Sequence, residues 1–546
     1  MSELGAARSF WGWGHEGAGL GEEETNNLGK MVAMRLGGAE LRPIAPPRLE
    51  DITLPAPRFS PAGALAPLFT QEPRERAGHT YGKAYRDVVR GLMRDFSAAP
   101  DAVALPGTEA EVEAVLAYAD EQGLAVIPYG GGSSCTGGVE ARLDRSPRGV
   151  ISLDLRRLDR VIEVDTMSRA ARIEAGILGP ALEEALRPRA LTLRHYPQSF
   201  EFSSLGGWIA TRSGGHFATL HTHIDDFVEA LRVVTPRGTF ASRRLPGSGA
   251  GPDPDRLFIG SEGALGVITS AWMRLQERPR FRASATVRFE DFRSAVEAAR
   301  RLAQSGLHPQ NCRVLDADEA LNSGAGDGSD HLLLVAFESA DHMLDAPMSR
   351  ALDLCRGEGG RFREGAGKTR EDGQGERDGA AGAWRSMFLR GPYLRDALAT
   401  LGMVVETFET AVTWDRFGAF HAKVIEEARR AAREVCGAAV VTCRLTHVYP
   451  DGAAPYFTVI APGKPGSLVA QWDAIKAAVS EVIVAEGGTI THHHAVGRDH
   501  GPWYRRERSP VFAAAFGAVK QALDPRGIMN PGVLVEAAAP TSAGRA

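Results

Sequence analysis

Three consecutive glycines, Gly130, Gly131 and Gly132, stand one residue, Tyr129, behind the apolar run Ala125-Val126-Ile127-Pro128 and ahead of Ser133 and Ser134. The apolar run reads as a short buried strand. A backbone without Cβ atoms can approach an anion closely, and successive N–H groups form an anion-binding nest there. A diphosphate suits that concavity. The spacing is not GxGxxG, and no Gly-Lys-Ser or Gly-Lys-Thr follows, so neither the Rossmann nor the P-loop phosphate site fits. Taken alone, the segment is more readily a plain turn than a ligand loop.

The surroundings set it in an α+β domain. Thr108 and Glu111 have capping-box spacing, Val112, Val115, Leu116 and Ala119 follow at helical spacing, and Gly123 ends that helix. Residues 150–154, 160–164 and 171–175 predict three strands, with a helix near 178–187. At 546 residues the chain is too long for one hydrophobic core. The texture divides it into an N-terminal wrap at 1–95, a first domain at 96–278, a second α+β domain at 279–500, a returning segment at 501–535 and a frayed tail at 536–546. Residues 356–383, rich in Gly, Arg, Glu and Asp, read as a mobile loop or linker. The Trp11-Gly12-Trp13-Gly14 run is expected to pack on the main body.

Net charge is −5, which gives a nucleic-acid partner no support. The five cysteines, Cys135, Cys312, Cys355, Cys436 and Cys443, are widely spaced with no CxxC. That argues against a disulfide framework or a zinc ribbon and fits a reducing compartment. Residues 1–30 carry Glu22, Glu23 and Glu24 and no apolar core of a secretory signal. No run of 18 apolar residues occurs, and the last residues, Ala-Gly-Arg-Ala, are not a peroxisomal Ser-Lys-Leu ending. The Ala-, Gly- and Arg-rich composition suggests a bacterial cytoplasmic protein.

Three further segments accompany the glycine loop: PQSFEFSSLGGW at 197–208 with ATRSGG at 210–215, GSEGALGVIT at 260–269, and DPRGIMNPGVL at 524–534. Together the four resemble the vanillyl-alcohol-oxidase type of FAD-binding fold. The resemblance implies a two-lobed FAD-binding domain with a second α+β substrate (cap) domain. It implies that FAD is held by Pro128, Tyr129, Gly130, Gly131, Gly132, Ser133 and Ser134. It extends to Pro197, Gln198, Ser199, Phe200, Glu201, Phe202 and Ser203, to Ala210, Thr211, Arg212 and Ser213, and to Glu262, Gly263, Ala264, Leu265, Gly266, Val267 and Ile268. Ala264 departs from the family, which often has Thr there. Cys135 lies near a place of covalent attachment in some relatives, but a packing role and non-covalent FAD are expected.

Further segments narrow the resemblance: Trp11–Gly14, HTYGKAYRDVVRG at 79–91, PYLRD at 392–396, FETAVTWDRF at 408–417, TCRLTHVYPDGAAPYF at 442–457 and THHHAVG at 491–497. In this order they are similar to the alkylglycerone-phosphate synthase family, over roughly residues 8–534. The resemblance implies an ether-bond-forming transferase that exchanges the acyl group of an acyl-dihydroxyacetone phosphate for a long-chain alcohol. On that resemblance, flavin N5 would hold the substrate carbon covalently, with no net redox change. It makes Arg395 and Arg313 substrate-binding, since a guanidinium fork suits a phosphate dianion, and Tyr456 the proton donor/acceptor. A phenol titrates near pH ~10, so a neighbouring cation is needed for that role. His492, His493 and His494 complete the catalytic set. In an extended segment His492 and His494 would share a face while His493 points away. Three imidazoles could shuttle protons, bind phosphate or, with His447, hold a metal; a histidine at the position where distant zinc-binding relatives have a carboxylate argues for no metal. A lipid substrate predicts peripheral membrane contact, and the apolar second domain permits a homodimer. The alternative on the same fold is an FAD-dependent dehydrogenase or oxidase of a D-2-hydroxy acid or related alcohol.

Overall fold

A computed structural model describes residues 7–141, 148–371 and 380–536. The helix Glu109–Gln122 begins at Thr108, whose hydroxyl accepts the Glu111 N–H, and ends at Gly123 in the left-handed region (φ +66°). The Glu111 carboxylate reaches back to the Gly107 N–H instead of closing the box on Thr108. Its inner face is Val112, Val115, Leu116 and Ala119, all buried, which is the face that the sequence periodicity selects.

That helix covers a four-stranded sheet in the order Phe69–Thr70, Ala102–Ala104, Val150–Asp154, Ala125–Tyr129. Its last three strands run parallel, so all their C-terminal ends, including Tyr129 and the glycine loop, open on one side. A second, antiparallel sheet of five strands follows, ordered Val161–Asp165, Ala170–Glu174, Val267–Arg274, Val228–Thr235, Gly238–Ala241. The two sheets share one apolar core that includes Ile528 and Met529 from the C-terminal segment. Met529 forms a parallel bridge to Val126, so the chain end returns to the strand that carries the glycine loop.

The second half is an antiparallel sheet of eight strands. Its centre is the hairpin Val440–Val448 and Gly452–Pro462, flanked by Met403–Glu409 on one side and by Asn311–Leu315 on the other. Helices Phe292–Ala303, Asp345–Gly357, Trp414–Cys436 and Leu468–Ala485 supply its apolar cover.

Two sequence readings are modified. Within the N-terminal wrap, helix Tyr85–Leu92 places Tyr85, Val88, Val89 and Leu92 in the core of the second half. The segment 356–383 is not uniformly loop: Arg370–Glu371 pairs with the strand Phe281–Phe289, and from Ala380 the chain is helical to Thr400. That helix carries Trp384 and Phe388, just beyond the segment. Residues 372–379, and the tail reading from 537 onward, lie outside the described residues. All five cysteines are free.

Candidate functional site

One cavity of about 400 Å³ runs between the two halves of the molecule, within the size range of small-molecule and cofactor sites. Its floor is the glycine loop. Pro128 to Cys135 all line it, as do Pro197, Gln198, Ser199 and Ser203, then Ala210, Thr211 and Ser213, then Glu262, Gly263, Gly266, Val267 and Ile268. Its opposite wall carries Arg313, Arg395, Arg444, Tyr456, His447, His493 and His494, with Trp384 and Phe388.

The glycines are required by contact. A Cβ on Gly131 would lie 1.9 Å from the Phe202 carbonyl oxygen, and one on Gly130 would lie 2.1 Å from Ser204 Oγ. The loop therefore presses backbone against backbone, leaving its peptide groups and two serines on the cavity side. Asn530 from the C-terminal segment clamps the arrangement, its amide donating to Gly138 O (3.0 Å) and Glu262 O (2.7 Å). Glu262 is buried and accepts the Val496 and Gly497 N–H groups (2.9 and 2.8 Å). Burial pushes its carboxyl up to about 7. A dinucleotide with a diphosphate fits this cradle of close-set glycines and small hydroxyl side chains.

Six of the residues assigned to the cofactor do not line the cavity. Phe200 packs against Gly179 and stacks on Trp208. Phe202 meets Trp13 and His15 edge-on, and Glu201 accepts a hydrogen bond from the Tyr393 hydroxyl (3.1 Å). Arg212 turns outward to Asp225 (2.9 Å). Ala264 and Leu265 are wholly in the core. The reason is local: residues 200–202 form a 3-10 turn, so a contiguous motif sends only some of its side chains inward.

On the opposite wall, Tyr456 is buried and pairs across the central hairpin with Arg444. The Arg444 guanidinium carbon stands 3.7 Å from the centre of the Tyr456 ring, and its Nη1 donates to Glu319 Oε1 (2.6 Å). Burial raises the phenol above its ordinary value, and the Arg444 charge pulls it back. Arg313 is 1% exposed. It donates to the His216 and Thr446 carbonyls (3.2 and 3.4 Å) and lies over Trp384 and Phe388. Burial and the like charge of Arg444 push it down to about 9, still protonated at neutral pH. Arg395, on the helix Ala380–Thr400, donates Nε and Nη2 to Asp396 Oδ1 (3.1 and 2.8 Å) and Nη1 to the Lys83 carbonyl. Asp396 also accepts the Trp13 N–H (2.6 Å), which docks the Trp-Gly-Trp-Gly run on this wall.

The three histidines do not alternate as a strand would. Residues 492–494 form a bend around Glu409, whose carboxylate accepts the N–H groups of His492 (2.6 Å), His493 (2.9 Å) and His494 (3.0 Å). That convergence turns His493 and His494 to the cavity, while His492 faces His223, His447 and Tyr449, whose hydroxyl meets its Nε2 at 2.7 Å. Glu409 is held well below the carboxylate range despite its burial, because His493, His494 and His492 surround it. Burial holds His492 and His447 well below the imidazole range and pushes His494 down to about 3. Nitrogens of His447, His492 and His493 lie within 4.8 Å of one another, a spacing that a metal ion could bridge. Those of His447 are already engaged by Gly215 O (3.0 Å) and Thr446 Oγ1 (3.2 Å).

Sequence reasoning missed Arg444, Glu409 and Lys83. Arg444 was open to detection: the Pro450-Asp451-Gly452 turn makes a hairpin, and counting back from it sets Arg444 opposite Tyr456 once one bulge is allowed.

Two family profiles match in succession, "FAD binding domain" over residues 100–242 and "FAD linked oxidases, C-terminal domain" over 278–534. The alkyldihydroxyacetonephosphate synthase of Trypanosoma brucei brucei is 31% identical over 474 residues, 84% of this chain and 77% of that protein. The chain belongs to the alkyldihydroxyacetonephosphate synthase family. The synthase of Dictyostelium discoideum is 30% identical over the same shares. A solved structure of an alkyldihydroxyacetonephosphate synthase superposes with a TM-score of 0.79 at 25% identity, covering 96% of this chain and 98% of that one. p-Cresol methylhydroxylase, at 16% identity and a TM-score of 0.66, shares the fold. These findings make the chain an FAD enzyme of the two-lobed α+β type, like the rest of its synthase family. The synthase relatives named are eukaryotic, so a bacterial source draws no support from them. Among the described residues no helix is long and apolar enough to cross a membrane.

Proposed function

We propose that the chain exchanges the acyl group of an acyl-dihydroxyacetone phosphate for a long-chain alcohol, forming an ether bond. The observation that carries this reading is the single cavity whose one wall is the flavin cradle and whose other wall holds Tyr456, Arg395, Arg313, His493 and His494. When bound, FAD supplies an electrophilic ring that can take up and release a substrate carbon with no net redox change.

The protein's residues divide the remaining work. Arg395 meets the phosphate through the Nη1 and Nη2 hydrogens that Asp396 and Lys83 leave unused. Tyr456, as the phenolate that Arg444 stabilises, takes the proton from the carbon beside the carbonyl to become the phenol, and then returns it. His493 and His494 face the same cavity and accept the proton of the entering alcohol, and Glu409, in contact with both, steadies the resulting imidazolium. The apolar side chains Leu28, Met31, Val32, Met387, Leu398 and Ile460 line the part of the cavity that suits an alkyl chain. Exposed Met31, Met34 and Leu389 beside it suit contact with a membrane surface. FAD is held non-covalently: burial pushes the Cys135 thiol up to about 12, which leaves it a weak nucleophile. Val511 and Phe512, exposed on helix Pro510–Leu523, favour a homodimer. The free cysteines favour the reducing cytoplasm.

The test is direct. FAD-loaded protein given palmitoyl-dihydroxyacetone phosphate and hexadecanol should yield the alkyl product and free palmitate. Absence of product, together with flavin bleaching by D-2-hydroxyglutarate under anaerobic conditions, would replace this reading with a dehydrogenase.

A further inference from the structure

Lys83 is 8% exposed and lies on the cavity wall. Its backbone is fixed at both ends: its N–H donates to the Ser134 carbonyl (2.6 Å) just past the glycine loop, and its carbonyl accepts from Arg395 Nη1. Its side-chain ammonium makes no hydrogen bond or ion pair with any described residue. The ammonium has no acceptor of its own, and burial with the nearby guanidiniums of Arg8 and Arg395 pushes it down to about 8, against the opposing pull of Asp396 and Asp87.

Charge balance shows what is missing. Arg395 is already ion-paired with Asp396 (2.8 Å), so that pair presents no net charge to the cavity. A phosphate monoester brings close to two negative charges at neutral pH. Arg395 retains an edge of donors for it, and Arg313, whose hydrogen bonds go to His216 and Thr446, adds one charge to the cavity; a dianion calls for a second. The unpartnered ammonium of Lys83, which lines the same cavity and feels the Arg395 charge, carries such a charge, and a compact ammonium complements a planar guanidinium on a phosphate.

We infer that Lys83 is a second phosphate ligand of the substrate site, acting with Arg395 to select dianionic phosphate monoesters over singly charged carboxylates. This rests on the reading that the substrate is a phosphate monoester, and it adds the residue that sets that class.

The test uses the FAD-loaded full chain with glycerol 3-phosphate as the probe, read by the change it causes in flavin absorbance, so no turnover is needed. Lys83→Met should keep the flavin content of the wild type and weaken glycerol 3-phosphate about tenfold or more. The Kd of glycolate, a monoanion, should change far less. An unchanged glycerol 3-phosphate Kd overturns the proposal. So does loss of flavin from the variant with retained fold, which would assign Lys83 to the cofactor's own diphosphate. If Lys83→Met does not fold, the wild-type holoenzyme decides. Trace acetylation of Lys83, read by mass spectrometry, should fall sharply in saturating glycerol 3-phosphate, and equal acetylation overturns the proposal. Failure of the wild type to make the ether product would sink the transferase reading while leaving this comparison intact.

Discussion

At the scale of single residues, the site depends on what stands behind each reactive group. Tyr456 is buried, and burial alone disfavours the phenolate that has to act as the base. Arg444 corrects this from the facing strand, and Glu319 holds Arg444 in place. Tyr456→Phe should therefore keep the flavin spectrum and lower kcat at least about 100-fold; a variant that remains active would remove Tyr456 from proton transfer. Arg444→Lys keeps a charge for Glu319 but withdraws the guanidinium plane from the ring. It should lower kcat about 10- to 30-fold with little change in KM, and an unchanged kcat would show that the stacked cation does not assist the phenol. Motif order singled out Tyr456, Arg395 and Arg313, and all three line one cavity. Glu319 and Glu409 were not legible, because they come from elements distant in sequence and nothing local marks them, whereas the hairpin register alone could have found Arg444.

At the scale of elements, the lesson is the difference between a segment's apparent period and the hydrogen bonds that shape it. The helix Glu109–Gln122 was readable because its cap, apolar face and terminating glycine all agree. The histidine segment was misread as extended because one distant carboxylate draws three consecutive N–H groups to itself. Glu409→Gln removes the charge and sets amide hydrogens against those donors. It should cost about 3 kcal/mol of stability, measured by urea unfolding, and reduce turnover more than the lost stability explains. Full turnover in a stable variant would show that the bend is not needed for chemistry. The glycine loop was readable as an anion nest, but the element it touches was not. Gly131→Ala drives a Cβ into the Phe202 carbonyl and should cost about 1–3 kcal/mol and most of the bound flavin, read from the ratio of flavin to protein absorbance. Retention of flavin at the wild-type ratio would show that the loop can yield.

At the scale of the whole molecule, the two halves were legible as α+β units, but the cavity between them was not, because sequence order hides how the chain ends cross over. The N-terminal helix Tyr85–Leu92 enters the core of the second half, and Met529 and Asn530 return to the first. The cavity is thus closed by segments from both ends of the chain, and its integrity depends on global folding. Several histidines are buried in the neutral form across this structure. Burial pushes His195, His494 and His500 down to about 3, while in the unfolded chain each titrates near ~6.5. Below that value the unfolded state binds protons that the folded state refuses, so stability falls with falling pH. The loss starts near pH ~6.5 and continues down to the folded-state values, at about 2 kcal/mol per such histidine by pH ~5. Glu409 acts in the same direction at lower pH: its depressed carboxyl stabilises the fold above the ordinary carboxylate range, and that contribution is lost as pH falls through it. Thermal melts of the holoenzyme should therefore decline between pH 7 and pH 5, with flavin release tracking the decline. His195→Gln, buried in the flavin half and away from the histidine bend, should flatten the slope by about one proton, and a melting temperature that is flat over this range would show that these imidazoles are charged in the folded protein.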